Sequence, residues 1–190
     1  MISALSWFIL RVFGWRTSAV MPKGVVKAVM IVAPHTSYWD FVVGRMTFWS
    51  SKLPIRVFIK KEAFVFPLGW VLRRLGGVPV ARGHKNNLVE QAIDLFKKNP
   101  AMVVVITPEG TRRKVGHWKK GFYYIAMAAK VPIALAFIDY GTKTGGIGSL
   151  LYPTGDYEKD MAVIMDFYRD KKGLHPEKFN LNVLQKKNSQ

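Results

Sequence analysis

The 190-residue chain contains no cysteine. That excludes disulfides, thiolate metal ligands and a cysteine nucleophile together. Acidic residues are scarce: 12 stand against 29 lysines and arginines, for a formal net charge of +17. Long apolar runs are lacking too. The most apolar stretch, residues 2–15, holds one charge, Arg11, and is shorter than the roughly 20 residues that cross a bilayer. It has neither a basic start nor a small-residue cleavage site, so it does not read as a cleaved signal peptide. No Gly-x-Ser-x-Gly nucleophile elbow is present. The glycine-rich stretch 141–148 lacks P-loop spacing and its Lys-Ser/Thr ending, so it reads as a loop and not as a nucleotide cradle. His84, His117 and His175 have no spacing that recruits a metal. Internal repeats, linkers and coiled coils are absent.

What is present is a folded, basic, aromatic-rich chain. Its length suits one domain with a substantial core, and a hydrophobic content of 49% argues against disorder. The charge favours polyanions: nucleic acid, an anionic membrane surface, or a phosphorylated or CoA-like substrate. Six Trp and twelve Phe accompany it. Amphipathic rings with basic residues suit a membrane interface, and aromatics interleaved with basic residues equally suit single-stranded nucleic acid. Residues 2–15 fit a helix lying in a membrane interface, or a helix packed on the domain's own core. The two readings are compatible.

Strand-like runs at 28–32, 55–59, 101–106 and 131–138, with a short extended piece at 78–82, alternate with helix-like stretches. The clearest helix is 86–98, where Leu88, Ala92, Leu95 and Phe96 recur at helical spacing. Further helices are expected over 39–50, 64–75 (kinked around Pro67), 118–130 and 156–172. Alternation of this kind predicts an α/β single-domain layered sheet flanked by helices. Residues 1–20 are expected to form an N-terminal interfacial helix, 21–175 the catalytic domain and 176–190 a polar tail.

In open α/β sheets, ligands bind outside the carboxyl ends of the strands. Two polar junctions stand there. His35 and Asp40 follow the first strand, and Glu109, Gly110, Thr111 and Arg112 follow the strand at 101–106. Arg82 follows a third extended piece. An imidazole near a carboxylate supplies a base and its orienting partner. Guanidinium groups suit bidentate phosphate recognition. His-x-x-x-x-Asp alone is common by chance, and Pro-Glu-Gly alone is often only a turn.

The combination resembles the glycerolipid acyltransferases typified by 1-acyl-glycerol-3-phosphate acyltransferase. That family's His-x-x-x-x-Asp motif matches His35 and Asp40. Its Phe-Pro-Glu-Gly-Thr-Arg motif matches 107–112, with Thr107 in place of Phe. Phe-Lys-x-Gly matches Trp118-Lys119-Lys120-Gly121. A segment ending in Arg matches 77–82, and Val-Pro-Ile-x-Pro matches Val131-Pro132-Ile133 with Leu135 in place of the second Pro. Order and spacing agree from about residue 28 to 138.

The resemblance implies a glycerol-phosphate-acyltransferase-like fold and acyl transfer from an acyl-CoA or acyl-carrier-protein thioester to a lysophospholipid hydroxyl. The leading acceptor is 1-acyl-glycerol-3-phosphate, giving phosphatidate. It implies His35 and Asp40 as catalytic residues, and Arg82, Glu109, Gly110, Thr111, Arg112 and Lys120 as substrate-binding residues. Neither a metal nor a cofactor beyond the co-substrate is expected, and neither is a covalent acyl-enzyme. The expected location is peripheral, on the cytoplasmic face of a membrane. A related acyltransferase with another lyso-lipid acceptor, such as a lyso-aminolipid, is the alternative within the class. A nucleic-acid-binding protein or a catalytically silent membrane binder is the alternative outside it. Binding nucleic acid requires neither motif, so no nucleic acid partner is expected.

Overall fold

Six consecutive buried residues, Ala28 to Ala33, mark the strand from which the fold is built. The structure, a computed structural model describing residues 2–19, 21–81 and 85–181, places this run in β2 (Lys27–Ala33) at the middle of a seven-stranded sheet. A strand covered on both faces reads as a continuous apolar run rather than an alternating one. Successive side chains still point to opposite faces. Val29, Ile31 and Ala33 join one core cluster, and Ala28, Met30 and Val32 join the other.

The strands are β1 (Arg16–Ala19), β2, β3 (Ile55–Lys60), β4 (Gly77–Val80), β5 (Met102–Ile106), β6 (Ile133–Asp139) and β7 (Thr144–Leu151). Across the sheet they run β1-β7-β6-β2-β5-β3-β4. β6, β2, β5, β3 and β4 are mutually parallel, and β7 pairs antiparallel with β6. The helices are α1 (Ile2–Val12), α2 (Trp39–Ser50), α3 (Leu68–Arg74), α4 (Lys85–Lys98), α5 (Gly121–Ala129) and α6 (Tyr157–Tyr168). Leu10 of α1 and Phe48 of α2 cover one face of the sheet. Ala92 and Phe96 of α4, Phe122 and Ile125 of α5, and Met161 and Ile164 of α6 cover the other. Each buried aliphatic or aromatic side chain stabilises the fold by about 1.5–3 kcal/mol.

The expected mixed layer architecture is what forms, with one correction. The glycine-rich stretch read as a loop is largely strand β7. A Cβ at Gly145 would lie 2.9 Å from Thr47 Oγ1 of α2, and one at Gly148 would meet the Phe167 ring of α6. These glycines let helices approach the strand closely from both faces. Strand β1 is an edge strand that the sequence reading did not separate from the N-terminal helix. No described helix is long and apolar enough to cross a membrane.

Candidate active site

Three adjacent parallel strands, β6, β2 and β5, end at one edge of the sheet. Their carboxyl ends carry Tyr140, the loop with His35, and the loop 107–112, which brings together groups far apart in sequence.

His35 lies two residues beyond β2, and Asp40 lies in the first turn of α2. His35 Nδ1 is 3.1 Å from Asp40 Oδ2, with the imidazole 17% and the carboxylate 2% exposed. The same oxygen accepts from Thr36 N at 2.7 Å and Ser37 N at 2.8 Å. A carboxylate at the start of a helix is also favoured by the helix dipole. Burial works to raise the Asp40 pKa, but bonds from His35, Ser37, Tyr140 and Thr36 outweigh it and hold the carboxyl below its ordinary value. Asp40 is thus ionised and tied to the loop that carries His35. Ser37 Oγ accepts from Trp39 N at 3.2 Å and so serves the start of the helix.

Glu109 sits beneath this pair. It is 5% exposed, and its Oε2 and Oε1 take the His35 backbone N–H at 2.9 and 3.2 Å. Burial, helped by the nearby Asp40 charge and opposed by the bond from His35 N, pushes its pKa up to about 8. The side chain therefore ties the two motif loops together, with its oxygens on the backbone. Gly110 has φ +67°, a conformation that favours glycine, and the Lys119 side chain packs closely over it. The Arg112 guanidinium carbon lies 3.7 Å above the centre of the Tyr38 ring. Stacking of this kind holds the guanidinium plane while leaving its N–H edge available.

A cavity of about 640 Å³ opens at these residues. Its polar lining includes His35, Asp40, Thr111, Arg112 and Lys119, and its apolar lining includes Phe48, Ile55, Val57, Phe58 and Ile138. Arg45, also in the lining, has Nε and Nη1 shielded from solvent without a hydrogen-bond partner among the described residues. Its guanidinium stacks 4.7 Å from the Trp49 ring centre. The sequence reading selected Lys120, but the structure sets its ammonium 4.5 Å over the Tyr157 ring, and Lys119 is the one that lines the cavity. Lys120 is the N-cap of α5 and Lys119 stands in the loop before it, so the two neighbours face differently. Arg82 lies outside the described residues. Lys119, Arg45, Tyr38 and Tyr140 were missed; Tyr140 alone left a signal, a polar ring that follows an apolar run, 133–138, and the Asp139 that ends the strand. No cluster of three or more potential metal ligands occurs among the described residues.

A family model for acyltransferases matches residues 19–137, well over half of the chain. The chain belongs to the acyltransferase family. The matched segment of this acyltransferase contains His35, Asp40 and the whole 107–112 loop; Tyr140 falls just beyond it. The acyltransferase is similar in fold to the crystal structure of the 1-acyl-sn-glycerophosphate (LPA) acyltransferase PlsC from Thermotoga maritima. The TM-score is 0.59 at 20% identity, over 87% of this chain and 74% of that one. No curated protein matches the sequence.

Proposed function

We propose that this acyltransferase moves a fatty acyl group from a CoA or acyl-carrier-protein thioester to the hydroxyl of a lysophospholipid, with 1-acyl-glycerol-3-phosphate as the leading acceptor. The observation that carries the reading is the His35–Asp40 pair at 3.1 Å, set in the lining of a largely apolar cavity. With Nδ1 donating to Asp40, Nε2 is the basic nitrogen. It takes the acceptor's hydroxyl proton as the oxygen attacks the thioester carbonyl, and the thiolate leaves. Asp40 steadies the imidazolium that forms. Direct transfer needs no enzyme nucleophile, in keeping with the role of Ser37 at the start of α2.

The N–H groups of His35, Thr36 and Ser37 are already bound to carboxylates. The oxyanion is therefore assigned to the Thr111 and Arg112 N–H groups, which donate to no described residue. Arg112, stacked on Tyr38, and Lys119 hold the acceptor's phosphate, and Gly110 and Thr111 shape the turn between them. Arg82 is proposed as a second phosphate contact on its sequence position alone. The apolar lining of the cavity takes the acyl chain.

The lipid substrate calls for a membrane surface. α1 turns Ser6 and Leu10 inward and leaves Leu5, Trp7, Phe8 and Val12 exposed. Trp39 and Phe41 of α2, with Phe66 and Trp70 around α3, are exposed as well. Apolar rings outside and a serine inside favour a docking face over a folding face. Docking is proposed on the cytoplasmic leaflet, where acyl thioesters are made.

The test is a panel of lyso-lipids incubated with labelled acyl-CoA or acyl-carrier protein. His35→Ala is expected to lower transfer by about 10²–10⁴-fold with the thermal midpoint retained. Undiminished transfer in that variant, or no transfer by the wild type to any acceptor, rejects the reading.

A further inference from the structure

Asp40 has one oxygen more than the partners described above can account for. Oδ2 receives His35 Nδ1, Thr36 N and Ser37 N. Oδ1 is shut off from solvent and receives none. A second orphan of the opposite kind accompanies it: the Tyr140 hydroxyl is buried and also without a partner. An ionised carboxylate only accepts, and a phenol can donate.

The two atoms stop short of hydrogen-bond geometry, yet their groups act on each other. Burial first, then the Asp40 charge and the contact with its carboxylate, push the Tyr140 phenol well above its ordinary value. Tyr140 in turn is among the groups that pull the Asp40 carboxyl down. Adjacency outweighs the missing bond here. Pairing them satisfies both atoms at once, whereas leaving both unpaired incurs two desolvation penalties.

The tyrosine is itself well fixed. It directly follows β6, its backbone N–H donates to Lys172 O at 2.8 Å, and its ring stands edge-on to Trp15 at 5.0 Å and 86°. Because β6 lies beside β2 in parallel register, with Phe137 opposite Ala33, Tyr140 emerges next to the His35 loop.

We propose that Tyr140 is a positioning residue whose hydroxyl donates to Asp40 Oδ1 and so holds Oδ2 toward the His35 imidazole. A carboxylate bonded on both oxygens cannot swing away as the imidazolium forms. The bond also draws charge away from Oδ2, so the imidazolium gives up its proton more readily. The titratable groups facing Asp40 are His35 from its own loop, Glu109 from the loop after β5 and Tyr140 from the loop after β6. Glu109, with its pKa pushed up to about 8, is common to all the variants compared below.

The kinetic part of this inference rests on the acyl-transfer reading; the bond itself does not. The first arm is a thermal-stability double-mutant cycle of Tyr140→Phe and Asp40→Ala on the protein without substrate. Tyr140→Phe is expected to lower the midpoint in the wild-type background and to have little effect in the Asp40→Ala background. An additive cycle overturns the proposal. The second arm is kinetic. Tyr140→Phe is expected to lower kcat by about tenfold or more, to leave KM within about twofold for donor and acceptor, and to move the acidic limb of the pH–rate profile to higher pH. A coupled cycle with unchanged kcat and pH profile makes the bond structural only and also overturns the positioning role. Should Tyr140→Phe not fold, NMR on the wild type replaces the first arm. A slowly exchanging, downfield tyrosine hydroxyl proton that vanishes in Asp40→Ala is expected, and its absence from the wild type refutes the bond. Failure of acyl transfer in the wild type would reject the functional reading while leaving the first arm decisive.

Discussion

Glu109 stands where a carboxylate is costly to ionise, and the molecule keeps it there as a clasp between two loops. Its proton is held in the folded state up to about pH 8, against an ordinary value of 4.5. Below 4.5 both states are protonated and the residue contributes nothing pH-dependent. Between the two values the unfolded chain loses the proton and the folded one keeps it, so the stability of the fold falls as pH rises and levels off above 8. The gap is worth at most about 5 kcal/mol. Glu109→Gln retains an oxygen acceptor for His35 N–H and removes the ionisation. Its thermal midpoint is therefore expected to gain on the wild type from pH 5 to about pH 8 and to hold a constant lead above that. Parallel midpoint curves over that range would show that the Glu109 proton is not held by the fold. Thr107, in place of the Phe of the resembled motif, leaves the contacts of its loop in place, with Glu109 on the His35 backbone and Arg112 on the Tyr38 ring.

At the scale of elements, α2 combines three tasks. Its first turn presents Asp40, Gly44 and Phe48 line the cavity, and its other face packs against α1. Gly44 allows close contact with the sheet, since a Cβ there would lie 3.0 Å from Ile138 Cδ1. α1 is held to α2 in part by Ser3 Oγ donating to Ser50 O at 3.0 Å. Its outward face contributes little to the core, because Leu5 and Phe8 are 60% and 59% exposed. Replacing both by serine is expected to leave the thermal midpoint within a few degrees. It should weaken co-sedimentation with anionic vesicles by about a hundredfold or more, as two inserted side chains of this size contribute about 1.5–3 kcal/mol each. Full sedimentation of that double variant would remove α1 from the docking surface.

For the whole molecule, the +17 charge and the exposed aromatics are features of one surface chemistry. Each lysine or arginine near an anionic bilayer contributes about 1 kcal/mol, and the attraction is screened over roughly 10 Å at 0.1 M salt. Binding to anionic vesicles is expected to fall steeply as salt is raised, with binding to neutral vesicles weak throughout and carried by the apolar residues. Salt-independent binding, equal for the two vesicle types, would contradict an electrostatic share in docking. The site at the carboxyl ends of β6, β2 and β5 shares residues with the core, since Phe48, Ile55, Phe58 and Ile138 both line the cavity and pack in the core clusters.

The sequence by itself determined the strands with unbroken apolar runs, the helices with clear periodicity, and the two motif loops. Each of these is a local pattern: Val29 to Ala33 must be covered on both faces, and His35 must follow directly. It missed β7, because Gly145 and Gly148 look like loop residues until Thr47 and Phe167 are seen pressing on them. It did not reveal that the oxygens of Glu109 meet a backbone N–H 74 positions away, because nothing local tells of that contact. It chose Lys120 over Lys119 because the facing of two neighbours depends on how α5 begins. Tertiary structure alone decided what surrounds Asp40. The His35 side chain lies 5 positions away and is legible, whereas Tyr140 reaches the same carboxylate only because β6 was laid beside β2. Sheet order is set by the packing of whole faces, and no short stretch of sequence carries it.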